Sequence, residues 1–139
     1  MTDPDCIFCR IAAGEIPSDT IYEDSDFRVI LDLNPASKGH ALILPKSHAK
    51  DLFELDEEIA AKAVKTAKKV APALMKAVNA DGLNLVQNNG EAAGQTVSHF
   101  HMHLIPRFKG AAEIVVWEPG KSDKETQQQI VEAVKANLQ

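Results

Sequence analysis

Residues 99–106 read His99-Phe100-His101-Met102-His103-Leu104-Ile105-Pro106, an alternation of histidines with apolar side chains. Successive side chains of a β-strand point to opposite faces of its sheet, so the alternation predicts a strand within 97–106. The three imidazoles would share one face of this strand, and the apolar side chains would share the other. The strand would therefore offer one surface for chemistry and one against which a helix can pack.

Short apolar or alternating segments bounded by turn residues predict further strands on both sides of this run. Two of them flank a polar turn and form a hairpin, and an apolar segment near the C-terminus is either a sixth strand or part of an interface. The predicted strands are Thr20–Glu23, Phe27–Leu31, 40–45 and 83–87, and the undecided segment is 114–117.

Three helices are predicted around these strands. The long one covers 56–79, with an aspartate as its first residue and N-cap, and Pro72 predicts a kink or a break within it. A short helix over 5–13 likewise has an aspartate as N-cap, and a C-terminal helix begins at a capping box over 122–125. Because the strands form hairpins and do not alternate with helices, the predicted fold class is α+β with an antiparallel five-stranded sheet.

The composition of the 139 residues is that of one ordinary globular domain. Hydrophobic residues make up 45% and charged residues 25%, which argues against disorder. The net charge of −5 disfavours a broad nucleic-acid-binding surface, and no apolar stretch approaches the roughly 20 residues of a membrane helix. The N-terminus carries acids where a signal peptide carries bases, so we expect a cytoplasmic protein without nucleic-acid or membrane partners.

The unusual part of the composition is its histidines and cysteines. Three of the five histidines lie within 99–103, and the two cysteines have the spacing C-x-x-C. In a reducing compartment such residues favour metal binding or catalysis over a disulfide. The three imidazoles could chelate one metal ion, or one of them could attack phosphorus as a neutral nucleophile. The loop 88–96, rich in glycine and amide side chains, is a weak signal for a phosphate site and favours the second alternative.

The histidine run and several shorter segments are similar to a known family. The segment Gly94-Gln95-Thr96-Val97-Ser98-His99-Phe100-His101-Met102-His103 resembles the signature of the histidine triad (HIT) nucleotide hydrolases and transferases. The resemblance covers about 5–109, so a single HIT domain is expected over 1–139, with a tail, 110–139, that matches least. The other matching segments are Cys6-Ile7-Phe8-Cys9, Gly14-Glu15-Ile16-Pro17, Leu31-Asp32, Lys38-Gly39-His40 and Pro45-Lys46-Ser47-His48.

The resemblance implies a covalent mechanism. His101, the middle histidine, would attack an α-phosphate and form a nucleotidyl-imidazole that water then hydrolyses. The main-chain carbonyl of His99 would orient the nucleophile, and His103 would hydrogen-bond the phosphate. The catalytic residues implied in this way are His101, His103, His99, Thr96, Gln95 and His40.

The resemblance also implies a purine nucleotide site, a structural zinc ion and a homodimer. Asp32 would accept hydrogen bonds from the ribose hydroxyls, and apolar side chains would wall the base. The implied nucleotide-binding residues are Asp32, Leu33, Asn88, Gly94, Gln95, Thr96, Ile7, Phe8, Ile11 and Ile30. The implied zinc ligands are Cys6, Cys9, His48 and His99, a Cys₂His₂ set of the kind that closes a tetrahedral site.

Two questions of function stay open at this level. The N-terminal half is similar to nucleoside phosphoramidases, whereas Leu104-Ile105-Pro106-Arg107 is similar to dinucleoside polyphosphate hydrolases, so the bond cleaved is P–N or P–O–P. Two competing classes are a nucleotide- or zinc-binding interaction protein with incidental catalysis, and a metal-dependent hydrolase with the three histidines as ligands.

Overall fold

The computed structural model describes residues 2–138, which form one antiparallel five-stranded sheet with helices on both faces. The order of the strands in the sheet is β1-β2-β3-β5-β4. The strands are β1 (Thr20–Glu23), β2 (Phe27–Leu31), β3 (Ala41–Pro45), β4 (Gly82–Val86) and β5 (Met102–Arg107). The helices are α1 (Ile7–Ala12), α2 (Glu57–Val78) and α3 (Lys124–Asn137), with a 3₁₀ turn at Glu91–Ala93. This architecture confirms the predicted α+β class.

The two faces of the sheet carry different layers. Alternate residues of β2, β3 and β5 pack with α2 into the larger core, in which Ile43 and Leu104 are fully buried. Burying such a side chain stabilises the fold by about 1.5–3 kcal/mol. On the opposite face Leu42 and its neighbours pack with α1. His103 pairs with Leu42 in the β3–β5 ladder and so lies on the α1 face.

β5 begins at Met102, inside the predicted segment 97–106 but after the first two histidines of the run. The β3–β5 ladder starts with the pair Ile43 and Met102, because Pro45 has no N–H with which to continue it. The carbonyl of Pro45 instead accepts a hydrogen bond from the ring of His99, and Phe100 donates its N–H to Ala49. The predicted alternation persists through this irregular segment, since Phe100 is buried with Met102 and Leu104 in the α2 core.

α2 is one uninterrupted helix, so of the predicted kink or break at Pro72 the break is wrong. Pro72 lies on the exposed side of the helix, where water can bond the carbonyl that its missing N–H leaves free. Val70 and Leu74, on either side of it, are buried against the sheet and hold the helix in place. The predicted N-cap is confirmed, because the carboxylate of Asp56 accepts hydrogen bonds from the N–H groups of the first turn.

The other two helices begin one residue away from the predicted caps. The N-cap of α1 is Cys6 and not Asp5, since the Cys6 thiol accepts the N–H of Cys9. The N-cap of α3 is Asp123, whose carboxylate accepts the N–H and hydroxyl of Thr126, so the predicted box at 122–125 is displaced. The segment 114–117 forms no strand, and 109–138 is exposed throughout. Among the described residues, no helix combines the length and the apolar character needed to cross a membrane.

Candidate active site and metal site

The triad histidines lie on the α1 face of the sheet but do not converge on one point. Clusters of side chains that could hold a metal ion, with ligand atoms within 4.8 Å of one another, occur twice among residues 2–138. One group contains His99 with two cysteines and His48, and the other contains His103 with Asp32 and His40. His101 belongs to neither group. This division argues against a catalytic metal held by all three triad histidines.

His101 is held as a neutral imidazole with one free nitrogen. The ring is buried, and its Nδ1 donates a hydrogen bond to the main-chain carbonyl of His99 at 2.7 Å. Burial lowers the pKa of His101, although the hydrogen bond to His99 and the charge of Asp32 oppose the shift. Since Nδ1 carries the proton, Nε2 presents its lone pair, the form of imidazole that acts as a nucleophile.

A chain of hydrogen bonds fixes the tautomers of the next two histidines. The N–H of Ala36 donates to His40 Nδ1 at 2.9 Å, so the proton of neutral His40 is on Nε2. That Nε2 donates to His103 Nδ1 at 2.9 Å, which leaves the proton of neutral His103 on Nε2, as a donor. His40 therefore has no free lone pair to give a metal ion, so the group with Asp32 is a poor metal site.

Burial keeps this pair of histidines neutral. It lowers the pKa of His103 to about 4, and the neighbouring His101 and His40 act in the same direction. It also lowers the pKa of His40, although the Asp32 carboxylate, 3.7 Å from His40 Nε2, opposes that shift. A neutral imidazole has one N–H donor and one acceptor nitrogen, so neutral His40 and His103 can form this chain of hydrogen bonds.

A cavity of about 410 Å³ opens beside His101 and His103. Its walls include most of the predicted nucleotide-binding residues, from α1, β2 and the loop before the triad. The predicted residues that line it are Ile7, Phe8, Ile11, Ile30, Asp32, Leu33 and Thr96. Leu31, Asn34, Leu42 and Val97 also line it. A pocket of this size, apolar with a few polar groups, is typical of a small-ligand site.

The structure does not bring Gln95, Asn88 and Gly94 to the walls of that cavity. The amide of Gln95 accepts the N–H of Gly90 at 2.8 Å and donates to the carbonyls of Lys50 and Val97 at 2.7 and 2.9 Å. Gln95 thus holds the loop before the triad in shape. Gly94 has a φ of 93°, a backbone angle that residues with a side chain rarely adopt, and this allows the turn in the loop.

The predicted zinc ligands lie together at the start of α1. Cys9 Sγ is 3.3 Å from His48 Nδ1, and His99 Nδ1 is 3.4 Å from Cys6 Sγ and 3.5 Å from Cys9 Sγ. Tetrahedral zinc with bonds of about 2.3 Å to sulfur and 2.0–2.1 Å to nitrogen separates such atoms by about 3.5 Å. The four residues therefore fit Zn²⁺, and the two cysteines form no disulfide with each other.

His99 links this metal site to the nucleophile. Its Nε2 donates to the Pro45 carbonyl at 2.9 Å, which leaves Nδ1 unprotonated and directed at the two sulfur atoms. Its own main-chain carbonyl accepts the hydrogen bond from His101 Nδ1–H. The Phe8 ring of α1 forms a second link, since its centroid lies 5.0 Å from that of His101.

Sequence reasoning missed several of the groups that complete the site. The backbone N–H of Ala36 and the carbonyl of Pro45, which set the tautomers of His40 and His99, have no side-chain signature. Leu42 was open to detection, because it alternates with Ala41 and Ile43 along β3 and must face the α1 layer. Its position in the cavity wall follows from that alternation.

An α+β domain with three alternating histidines, two of which line a cavity of this size, has the features of a histidine-triad protein. The HIT domain family matches residues 13–110, so the chain belongs to the HIT family. It is 41% identical over 122 residues to the adenosine 5'-monophosphoramidase of Saccharomyces cerevisiae (87% of this chain, 75% of that protein). It is 41% identical over 138 residues to the adenylylsulfatase of Arabidopsis thaliana (96% and 70%).

Solved structures agree with the fold. A Streptococcus mutans protein matches with a TM-score of 0.94 at 40% identity, covering 99% of this chain and 88% of that one. A zinc-bound histidine triad protein from Mycobacterium smegmatis matches with a TM-score of 0.76 at 37% identity, covering 95% and 94%. The two named relatives, a phosphoramidase and a sulfatase, carry the names of hydrolases.

Proposed function

We propose that the protein is a nucleotide hydrolase or nucleotidyl transferase that cleaves at the α-phosphate of purine nucleotide conjugates. The observation that carries the proposal is the hydrogen bond of 2.7 Å from His101 Nδ1 to the His99 carbonyl. It holds the ring in the tautomer whose Nε2 is free to attack, in a residue that lines the cavity. The yeast and plant relatives are both named after an adenosine nucleotide, which supports a purine substrate.

The proposed reaction has two displacements at phosphorus. His101 Nε2 forms a bond to the α-phosphorus as the bond to the leaving nitrogen or oxygen breaks, and the leaving group takes up a proton. Water then breaks the P–N bond, which releases the nucleoside monophosphate and restores the neutral imidazole. Proton donors that line the cavity, His103 Nε2–H and the Thr96 hydroxyl, would stabilise the charge on the phosphoryl oxygens.

The nucleoside would lie against α1 and β2. Asp32 Oδ1 accepts a hydrogen bond from the N–H of Asn34 at 2.8 Å, which fixes the carboxylate. The fixed carboxylate would accept hydrogen bonds from the ribose hydroxyls. Phe8 and its apolar neighbours would stack against the base. Leu33 lines the same cavity and is 85% exposed, so a base placed there would cover an apolar side chain that the protein leaves uncovered. Gln95 would act through the shape of the loop.

We assign a structural Zn²⁺ to Cys6, Cys9, His48 and His99, where it would supply a tetrahedral cross-link between α1 and the segment before β5. Burial raises the pKa of the Cys9 thiol, whereas a bound cation would oppose that shift and favour the thiolate form. β4 is an edge strand that pairs only with β5 in the described chain. Its free edge could pair with a strand of a second copy, which supports the predicted homodimer.

Rates on two substrates test the proposal. Adenosine 5'-phosphoramidate and diadenosine tetraphosphate present the P–N and P–O–P alternatives. We expect hydrolysis of at least one of them, and a loss of at least about a thousandfold in kcat for His101→Gln, since no other group can replace the nucleophile. Asp32→Asn is the matched control, because it changes the same cavity and leaves the nucleophile in place. A His101→Gln protein as fast as the wild type would contradict the proposal.

A further inference from the structure

A second cavity, of about 620 Å³, adjoins the one that contains His101. The two share three wall residues, Ile7, Thr96 and Val97. Thr96 and Val97 belong to the loop directly before the triad, so the shared wall lies next to the groups assigned to the phosphate. A substrate with its nucleoside in the first cavity and its α-phosphate at His101 has the second cavity available for the group that leaves.

Acidic side chains outnumber basic ones on the walls of this second cavity. Asp3, Asp5 and Glu54 line it, and Lys50 is the one basic side chain among its described wall residues. The formal sum is therefore −3 + 1 = −2 when His48 is neutral. Zn²⁺ with two thiolates and two neutral imidazoles would add no net charge. The electrostatic environment is unfavourable to a phosphate or polyphosphate chain and favourable to a cation.

The acidic side chains are available to a ligand. Glu54 and Asp5 are exposed, and neither forms an ion pair within the part of the chain that the structure describes. Glu54 Oε2 accepts the main-chain N–H of Lys50 at 3.0 Å, a bond that fixes the carboxylate without neutralising it. Asp3 differs, because its N–H donates to Cys9 Sγ and ties it to the metal site.

We propose that the second cavity receives the leaving group, an inference that rests on the proposed function. The cavity selects leaving groups that carry a positive charge, such as an amine with a second, protonated amino group. Asp5 and Glu54 are the residues that set this preference. The bond broken is then P–N: His101 Nε2 bonds to phosphorus, the leaving nitrogen takes up a proton, and the departing diamine keeps its distal charge. The inference favours the phosphoramidate alternative over the polyphosphate one.

Three adenosine 5'-phosphoramidates test the preference, with leaving amines of 1,4-diaminobutane, n-butylamine and 4-aminobutyrate. In each compound the bond to be cleaved joins phosphorus to a primary alkyl amine. The compounds differ only in the charge at the far end of the amine, which is positive, absent or negative. We expect kcat/KM to fall in that order, by about tenfold from first to last at low ionic strength, and the ratio to shrink in high salt. Equal rates or the reverse order would overturn the inference.

Variants connect the preference to the named residues. The double variant Asp5→Asn, Glu54→Gln should bring the cation-to-anion ratio close to one, since both substitutions keep shape and remove charge. Asp19→Asn, an exposed carboxylate that lines neither cavity, should keep the wild-type ratio. A double variant with the wild-type ratio would overturn the inference, as would diadenosine tetraphosphate as a better substrate than the diaminobutane compound. Failure of the folded protein to cleave any substrate would instead contradict the proposed function itself.

Discussion

Acid should lower the free energy of unfolding because the fold favours the neutral form of His103. Burial lowers the pKa of His103 from 6.5 to about 4. Because the unfolded chain takes up this proton first, the contribution of neutral His103 to stability is complete above pH 6.5 and is lost as the pH falls towards 4. Each unit of pKa corresponds to 1.36 kcal/mol, so about 2 kcal/mol should be lost by about pH 5.

The assay is urea unfolding of the wild type and of His103→Gln at about pH 7.5 and about pH 5. A comparison of the two proteins is needed because acid also protonates the cysteines and would release a bound metal from both. The wild type should lose about 2 kcal/mol more than the variant between the two pH values. A difference between the two proteins that does not change with pH would refute the assignment of His103 as a half-buried neutral group.

Three other substitutions test separate parts of the account. Cys6→Ser should lower the zinc content, measured by metal analysis, and the melting temperature; an unchanged zinc content would exclude the four-ligand site. Gly39→Ala should destabilise the fold by about 1–3 kcal/mol in urea unfolding, because Gly39 has a φ of 86° and a Cβ there would lie 2.9 Å from Val78. Asp32→Asn should raise KM for the nucleotide with little change in kcat, and a normal KM would remove Asp32 from the ribose site.

The parts of the fold that could be predicted from the sequence depend on local periodicity. The alternation at 99–106 assigned Phe100, Met102 and Leu104 to the α2 core correctly, because a period of two holds wherever the backbone is extended. The N-cap of α2 was predictable for a similar reason, since an aspartate before an amphipathic run satisfies the first N–H groups of the helix.

The features that the sequence does not show arise where tertiary partners decide between local options. β5 starts only at Met102, and before it the side chain of His99 donates to the carbonyl of Pro45, a contact across 54 positions of sequence. α2 passes through Pro72 because burial of its other face outweighs one missing hydrogen bond. Gln95 stays a predicted substrate contact, and its amide has three hydrogen-bond partners in the loop that local sequence does not reveal.

The central claim is that His101 becomes covalently bound to the nucleotide, and trapping this intermediate tests it most directly. The protein is mixed with adenosine 5'-phosphoramidate and quenched rapidly at high pH, since phosphoramidate bonds break in acid. Intact mass spectrometry followed by peptide mapping should find one nucleotidyl group, on His101, and none on the His101→Gln protein. Turnover without any adduct, or an adduct on His99 or His103, would contradict the account.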